Sequence, residues 1–398
     1  MLPEHRSPED GAAGHRNADA DAQTEHPEAQ PAEAQAPDGH ASEDGSPQDG
    51  PRLHGLLCYC RAGFEPDLAA ELADHAARVG VHGYARTRRD DGYVVFITPG
   101  PLAGAMPWQD LIFARQRLDL VAEIAGMSPT DRITPILDAL AFGGRYGELW
   151  VEHPDSEGGK PLSGLARSFG NALRPALRQR GFLTARDDAR LPRLHVCFLA
   201  GDHVLLARSH PRDSAPWPQG IPRLKLLQEA PSRSALKLEE ALLSLMSPDE
   251  RSALIQHGMT AADLGAAPGG WTWVLARQGL QVSAIDNGPL RSHVLDMGWV
   301  EHLQADGFRW QPKRPLDWMV CDMVEQPRRV AERMATWFRE GWCKHAIFNL
   351  KLPMKKRWDE TRLCLELFEE QAGKSLTVRA KQLYHDREEI TVLASPLR

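Results

Sequence analysis

The chain of 398 residues lacks the long apolar segments and paired cysteines that mark membrane or disulfide-rich proteins. It has no run of about 18 apolar residues, so the sequence predicts no membrane-spanning helix. No apolar stretch follows a charged start, so no secretory signal is predicted either. The six cysteines show neither C-x-x-C nor Cys/His spacing, which predicts no zinc site or other metal centre. Buried thiols in a reducing compartment, the cytoplasm, are therefore expected.

The first 50 residues contain no Ile, Val, Phe, Tyr or Trp. Their twelve acidic and two basic residues give a charge of −10, and the whole chain carries −7, so the remainder carries +3. Such a segment cannot bury enough apolar surface to offset the entropy lost on ordering. Residues 1–52 are therefore predicted to be a disordered acidic tail, and the slightly basic remainder is compatible with RNA binding.

Residues 53–210 are predicted to form an α+β region with two halves. A strand over 54–60, a helix over 65–79 and a strand over 93–98 indicate a β-α-β unit of ferredoxin type. Further predicted elements are strands at 149–151, 194–199 and 204–207, and a helix over 162–180. That helix is basic and is expected to kink at Pro175 or to end one residue earlier. Its charged face either contacts RNA or is simply solvated, and the region resembles the THUMP domain of RNA-modifying enzymes, which favours RNA.

Residues 211–230 are rich in proline and arginine and are predicted to be a linker. Helical and strand patterns then alternate through residues 231–398. Helices are predicted at 234–246, 271–278, 327–340 and 357–371, strands at 259–263, 281–285, 316–321 and 345–350, and a final hairpin from 376–384 and 389–394. This alternation predicts an α/β fold, a Rossmann-like doubly wound sheet with an antiparallel edge.

The most informative motif is Asp263-Leu-Gly-Ala-Ala-Pro-Gly-Gly-Trp271, between a predicted strand and a predicted helix. Its small residues let the backbone approach a ligand closely, and its amide groups lead to a helix N-terminus. The spacing is not the G-x-G-x-x-G of dinucleotide-binding folds. Glycine-rich turns also occur as plain connectors, but the full string resembles the loop of S-adenosylmethionine-dependent RNA ribose methyltransferases.

Four aspartates fall at or just after predicted strand ends, where ligands bind in open α/β sheets. They are Asp263, Asp286, Asp306 and Asp322. Asp286 is expected to accept hydrogen bonds from a ribose diol, Asp306 to receive an adenine amino group, and Asp322 to lie beside a methionine moiety. A lone aspartate at such a place is often only a helix cap, whereas four at successive strand ends favour a binding site.

Two lysines are predicted to join this edge of the sheet. Lys237 lies in the first turns of a predicted helix, and Lys351 ends a predicted strand beside Asp322. Glu388 and Glu389 open the last strand. A ribose 2′-hydroxyl is a poor nucleophile, so its methylation needs a base or strong orientation. A lysine can act as the base if burial or like charge depresses its pKa.

Seven segments carry a resemblance to one family. They are Pro222–Lys225, Ala230–Glu240, the Asp263 loop, Asp286–Pro289, Trp318–Met323, Phe348–Lys356 and Gln382–Glu389. From about residue 54 to the end, the chain resembles the RlmM family, bacterial methyltransferases of a cytidine ribose in 23S ribosomal RNA. Two departures are the additional acidic tail and Ala267, which stands where the family pattern leads us to expect cysteine.

The resemblance implies site residues as well as an activity. The implied catalytic set is Lys237, Asp322, Lys351 and Glu389, with Lys351 as proton acceptor. The implied S-adenosylmethionine-binding residues are Ser234, Ala267, Pro268, Gly269, Gly270, Trp271, Asp286, Asp306 and Asp322. The choice between Glu388 and Glu389 rests on strand parity alone, and a shift of one residue would reverse it.

The implied partners are 23S ribosomal RNA or its precursor, with no membrane, and a monomer is expected. A competing hypothesis is a non-catalytic protein that binds S-adenosylmethionine and RNA, which the intact lysine pair argues against. Two more hypotheses are a 2′-O-methyltransferase of another RNA and a methyltransferase of small molecules. An enzyme of the last kind rarely carries an appended RNA-binding region.

Overall fold

Two seven-stranded sheets dominate the computed structural model, which describes residues 53–396 apart from 103, 142 and 374. The predicted disordered tail over 1–52 lies outside the described residues. No helix within the described ranges combines the length and apolar character needed to cross a bilayer. The same ranges contain no group of three or more His, Cys, Asp or Glu residues able to hold a metal ion.

The first sheet joins both halves of the N-terminal region. Its strands are β1 (Gly55–Tyr59), β2 (Tyr84–Arg86), β3 (Tyr93–Ile97), β4 (Gln116–Ile124), β5 (Glu148–Glu152), β6 (Arg193–Ala200) and β7 (His203–Ser209). Their order is β2-β3-β1-β4-β7-β6-β5, and only β5 and β6 pair in parallel. Its helices are α1 (Glu65–Arg78), α2 (Ile133–Ala139) and α3 (Ser163–Gln179). Because β4 pairs with β7, a continuous sheet runs from the ferredoxin-like half into the half that follows it.

The structure departs from the sequence predictions at α3, and it contains β2, β4 and α2, which were not predicted. The helix α3 continues through Pro175 to Gln179, so ending it before the proline was wrong. Ala166, Phe169, Leu173 and Leu177 of α3 are buried, and this apolar packing outweighs the hydrogen bond that proline cannot donate. The strand β4 was not predicted, because its sequence QRLDLVAEI alternates poorly and buries Gln116 and Arg117.

The second sheet is the predicted doubly wound sheet. Its strands are β8 (Thr260–Leu264), β9 (Gln281–Ile285), β10 (Val300–Leu303), β11 (Leu316–Cys321), β12 (Cys343–Lys351), β13 (Leu376–Lys381) and β14 (Glu389–Pro396). The order is β10-β9-β8-β11-β12-β14-β13. The first five strands pair in parallel, and β14 pairs antiparallel with both β12 and β13. Its helices are α4 (Ala235–Ser244), α5 (Pro248–Leu254), α6 (Gly270–Arg277), α7 (Ser292–Leu295), α8 (Pro327–Arg339) and α9 (Arg357–Ala372). The α/β fold with a ferredoxin-like N-terminal region is thus confirmed.

The local signals explain most of these boundaries. The bounds of β9 and β11 match the predicted ranges, because both are short apolar runs between turns. The predicted helix over 234–246 instead ends at Ser244, and a second helix, α5, begins after a capping box formed by Ser247 and Glu250. Because the strands from β8 to β12 are parallel, their carboxyl ends lie along one edge of the sheet, where the candidate site residues meet.

Candidate active site

The glycine loop after β8 is shaped by close contacts that exclude larger side chains. Gly265 has φ +78°, and a Cβ there would overlap the side chain of Met323. At Gly270, the first residue of α6, a Cβ would overlap the hydroxyls of Ser232 and Ser234. The loop therefore lies directly against the segment that leads into α4, as the small residues of the motif predict.

Asp263 supports this loop from within the strand. It is 1% exposed and its Oδ2 accepts a 2.6 Å hydrogen bond from the Thr272 hydroxyl on α6. Burial raises the pKa of Asp263 to about 7, although the bond from Thr272 opposes this shift. The strand continues to Leu264, so Asp263 does not close it as predicted, and its side chain ties β8 to α6.

Two adjoining cavities lie above the carboxyl ends of β8, β9 and β11. The first, of about 350 Å³, is bounded by Ser234, Pro268 and Trp271 among others. The second, of about 390 Å³, is bounded by Asp286, Asp306 and Phe308 among others. Gly265, Ala267 and Asp322 line both cavities. The glycine loop and the aspartates are therefore brought to one extended depression.

Asp286 and Asp306 both face the second cavity, with different surroundings. The Asp286 carboxylate accepts one bond on each oxygen, from the amides of Ala267 (2.9 Å) and Gly288 (2.7 Å). Each carboxylate oxygen has a further lone pair, so Asp286 can still accept two bonds from a diol. Asp306 is more exposed and accepts from the Phe308 amide at 2.8 Å, which makes it a turn cap as well as a lining residue.

The structure brings Lys237, Asp322, Lys351 and Glu389 into one cluster, which we call the lysine cluster. The Lys237 amine lies 3.1 Å from Asp322 and 2.6 Å from Glu389. The Lys351 amine lies 2.7 Å from Asp322 and also contacts Glu389. Each carboxylate therefore bridges both amines, and Asp322 also lines both cavities.

Four separate elements deliver these side chains. Lys237 comes from the first turn of α4, Asp322 follows β11, Lys351 ends β12 and Glu389 begins β14. Lys351 and Glu389 are direct partners in the antiparallel β12–β14 register. Glu388 instead binds Arg357, so the register places Glu389 and not Glu388 in the cluster.

The pKa of Lys351 is raised, whereas the sequence leads us to expect a depressed pKa for a lysine that acts as a base. Burial lowers the pKa of Lys351, but Asp322 and Glu389 outweigh it and raise the value to about 12. Burial likewise opposes ionisation of Asp322, yet Lys351 and Lys237 lower its pKa below the usual range. Within the protein's own groups, Lys351 is therefore a protonated amine held by two carboxylates.

A second layer of polar residues, not predicted from the sequence, orients Asp322. The amide nitrogen of Asn349 donates to Asp322 at 2.8 Å, and its oxygen accepts from the Thr391 hydroxyl at 2.7 Å. The Thr391 oxygen also lies 3.0 Å from the Asp386 carboxyl. The Thr391 hydroxyl is the donor in both contacts, so its single proton is shared between the Asn349 oxygen and Oδ2 of Asp386.

Asp386 is a buried carboxyl whose Oδ2 also accepts from the Leu383 amide at 3.1 Å. It is 1% exposed, and its Oδ1 has no hydrogen-bond partner among the described residues. Burial, together with nearby Glu389, raises its pKa well above the usual range. Only the folded register of β12 and β14 reveals this chain of hydrogen bonds, because Asn349 and Asp386 show no motif of their own.

Comparisons with known proteins place the chain among RNA methyltransferases. Three family models match: "RlmM ferredoxin-like domain" over residues 53–118, "Ribosomal RNA large subunit methyltransferase M, N-terminal" over 131–210, and "FtsJ-like methyltransferase" over 230–388. Proteins named ribosomal RNA large subunit methyltransferase M from Xanthomonas campestris pv. campestris (strain B100) and Xanthomonas oryzae pv. oryzae (strain KACC10331 / KXO85) are each 72% identical over 344 residues. Each match covers 86% of this chain and 99% of the relative.

Solved structures give more distant likenesses. A predicted N6-adenine-specific DNA methylase from Listeria monocytogenes has a TM-score of 0.32 at 15% identity, covering 86% of this chain and 96% of that one. A TehB-like SAM-dependent methyltransferase from Corynebacterium glutamicum has a TM-score of 0.27 at 16% identity, covering 41% and 96%.

Proposed function

We infer the function from one premise: the chain belongs to the ribosomal RNA large subunit methyltransferase M family. We propose that it transfers a methyl group from S-adenosylmethionine to the ribose 2′-hydroxyl of a cytidine in 23S ribosomal RNA. The observation that carries this proposal is the lysine cluster, in which two amines and two carboxylates meet beside two cavities.

The residues around the two cavities fit S-adenosylmethionine. A Cβ would overlap the Met323 side chain at Gly265 and the hydroxyls of Ser232 and Ser234 at Gly270, so the loop stays bare of side chains at these two positions. Asp286 retains acceptor capacity for a ribose diol, and Asp306 lines the same cavity. In this proposal the ligand is held by Ser234, residues 267–271, Asp286, Asp306 and Asp322. When bound, S-adenosylmethionine supplies a methyl group on a positively charged sulfonium.

The lysine cluster orients the ribose hydroxyl and takes its proton. Asp322 and Glu389 hold the amines of Lys237 and Lys351 in fixed positions, which supports alignment of the hydroxyl. Lys351 is assigned as the proton acceptor and must first release its own ammonium proton to solvent, to which its side chain is 23% exposed. Added positive charge near an amine lowers its pKa. Loss of this proton is therefore favoured when a sulfonium is bound nearby, whereas Asp322 and Glu389 oppose it.

We further propose a division of the chain into RNA-binding and catalytic regions. Residues 53–210 form the RNA-binding region, 211–230 the linker and 231–398 the methyltransferase domain. The exposed arginines of α3 support contact of the first region with RNA phosphates. A monomeric enzyme in the cytoplasm belongs to the same proposal, since ribosomal RNA is modified there.

The test is methylation of authentic substrate. The protein is incubated with labelled S-adenosylmethionine and ribosomal RNA from a strain that lacks this enzyme, and the modified ribose is mapped. We expect label on one 2′-oxygen of a cytidine in 23S RNA. Label on another RNA would redirect the substrate assignment. Binding of S-adenosylmethionine and RNA with no transfer would support the non-catalytic hypothesis.

A further inference from the structure

A third cavity adjoins the lysine cluster through Lys351. Its volume is about 460 Å³, and its lining includes Lys351, Leu352, Pro353 and Pro327. We call it the Lys351 groove. Asp322 lines the two cavities described above, and Lys351 binds Asp322 at 2.7 Å. The lysine cluster therefore connects the cavities assigned to the methyl donor with a separate groove.

The Lys351 groove is built by two neighbouring connections. The strands β11 and β12 are parallel partners, with Cys321 opposite Phe348, so the chain segments that follow them leave the same sheet edge side by side. Beneath them, Arg328 of α8 and Glu360 of α9 form a bidentate ion pair at 2.9 and 2.8 Å. The two walls are therefore tied together at their base.

Exposed apolar and cationic side chains follow the residues that line the groove. Met354 comes directly after the lining residue Pro353 and is 71% exposed, whereas Val324, 89% exposed, lines the second cavity. Lys355 and Lys356 follow Met354 and are exposed, and neither forms an ion pair within the described residues. Exposed apolar residues beside free cations match a single-stranded nucleic acid, whose bases have apolar faces and whose backbone is anionic.

The backbone at Lys356 adds an independent observation. Its φ is +57°, in the left-handed region, at the residue before α9. A residue with a side chain pays about 1–2 kcal/mol to adopt this conformation, and glycine avoids that cost. Such strain clusters at ligand-binding segments, so a lysine at this position is consistent with a role for its side chain.

We propose that the Lys351 groove seats the target nucleotide of the RNA. Met354 packs against a base beside the groove, and Lys355 and Lys356 contact the flanking phosphates. This assignment rests on the proposed function, because it places the acceptor ribose beside Lys351. Apart from Lys351 itself, it adds acceptor-binding residues outside the lysine cluster and the two donor cavities.

The experiment compares a single variant and a double variant with wild type. The single variant is Met354→Ser, and the double variant combines Lys355→Gln with Lys356→Gln. Methyl transfer is measured against concentration of the 23S RNA from the deficient strain, and calorimetry gives S-adenosylmethionine affinity. We expect Met354→Ser to raise the RNA KM roughly five- to hundred-fold, the range of lost base packing. We expect the lysine double variant to reduce the salt dependence of RNA binding by about one phosphate contact per lysine.

Matched controls are Leu363→Ser, a 42% exposed apolar position on α9, and Lys313→Gln, an exposed lysine before β11 at the opposite sheet edge. Both controls should keep the wild-type RNA KM. If wild type methylates RNA and both variants match it in RNA KM and in salt dependence, the groove assignment alone is overturned. Wild type that transfers no methyl group would overturn the proposed function itself.

Discussion

Lys351 shows how neighbouring charges decide the state of one residue. Its amine lies between Asp322 and Glu389, which raise its pKa to about 12 against the effect of burial. The sequence predicts that Lys351 lies at the sheet edge, because an apolar strand ends there. It could not predict the charge balance, because the two carboxylates arrive from β11 and β14, distant in the chain.

Replacing Lys351 with alanine is predicted to abolish methylation while leaving S-adenosylmethionine affinity nearly unchanged. The amine is lost from the position beside the ribose hydroxyl, whereas the donor cavities keep their lining. Transfer is measured with labelled donor, and affinity by calorimetry. Lys344→Ala is the control, because it removes an ion-paired lysine (2.8 Å from Asp317) at the far end of the same strand. Normal turnover by the Lys351 variant would remove this residue from the mechanism.

Replacing Asp286 with alanine is predicted to weaken S-adenosylmethionine binding by about 1–3 kcal/mol, the range for a hydrogen bond to a charged group. The variant also loses the acceptor for the amides of Ala267 and Gly288. Calorimetry measures the affinity, and thermal unfolding separates it from loss of loop order. Asp296→Ala, an exposed aspartate after α7, should retain wild-type affinity. Equal affinities of the Asp286 variant and wild type would refute its placement.

The raised pKa of Asp263 leads us to predict that the stability of the protein depends on pH. Burial raises the folded pKa of Asp263 from 3.8 to about 7. Between these values the folded state keeps a proton that the unfolded state has lost, so the free energy of unfolding falls as pH rises. The total effect is at most about 4 kcal/mol. Asp263→Asn keeps an acceptor for Thr272 and removes the titration, so its stability relative to wild type should rise between pH 4 and pH 8.

Urea unfolding at several pH values between 4 and 8 measures this difference. Asp296→Asn serves as the control, because an exposed carboxyl should give a curve parallel to that of wild type. Parallel curves for Asp263→Asn as well would show that Asp263 is ionised in the folded protein across this range.

At the scale of elements, the connection between β13 and β14 decides where Glu389 lies. The sequence predicts a strand to residue 384, whereas β13 ends at Lys381 and residues 382–388 form an irregular connection. Its partners come from both halves: Arg61 donates to the carbonyl of Asp386 at 3.0 Å, and Glu240 of α4 accepts from the amides of Tyr384 and His385. Periodicity cannot predict such contacts, because they join residues 144 or more positions apart.

Arg357 is predicted to be a positioning residue for Glu389. It binds Glu388 at 2.8 Å on one side and Asp67 of α1 at 2.9 Å on the other. Arg357→Gln loses this bridge, so the neighbouring Glu389 shifts and kcat should fall about ten- to hundred-fold. The KM for S-adenosylmethionine should stay constant, which a general loss of folding would not produce. Arg357→Lys should recover some of the lost kcat.

The control for Arg357 is Arg379→Gln on β13. Arg379 forms a comparable bidentate pair with Glu250, at 2.8 and 2.9 Å, but lies away from the connection to β14. Its kcat should remain within about twofold of wild type. An equal fall in kcat for both variants would mean that loss of either ion pair is sufficient to lower kcat. That result would exclude a specific positioning role for Arg357.

At the scale of the whole molecule, the two sheets share one apolar core. A single cluster of buried side chains includes Phe64, Leu68 and Phe113 from the N-terminal half and Trp358 and Phe368 from α9. The rings of Phe113 and Trp358 lie 6.4 Å apart, edge to face. The sequence indicates the two regions from their separate patterns, but not this common core, because each pattern only shows that a face is buried. The halves are therefore expected to unfold together.

Lys381 ties the two halves together within this core. It ends β13, is 4% exposed, and its amine donates to the carbonyls of Trp108, Leu111 and Ala114 in the N-terminal half. Burial lowers its pKa, yet three carbonyl acceptors match the three protons of an ammonium group. Lys381→Met leaves these carbonyls without a donor, so we predict a loss of roughly 3 kcal/mol or more in the free energy of unfolding.

Denaturant unfolding followed by circular dichroism and tryptophan fluorescence measures this loss, with exposed Lys344→Met as a control expected within about 0.5 kcal/mol of wild type. Coincident transitions in wild type support the shared core, whereas two separate transitions, or an unchanged midpoint for Lys381→Met, would show that the halves are stable independently of this contact.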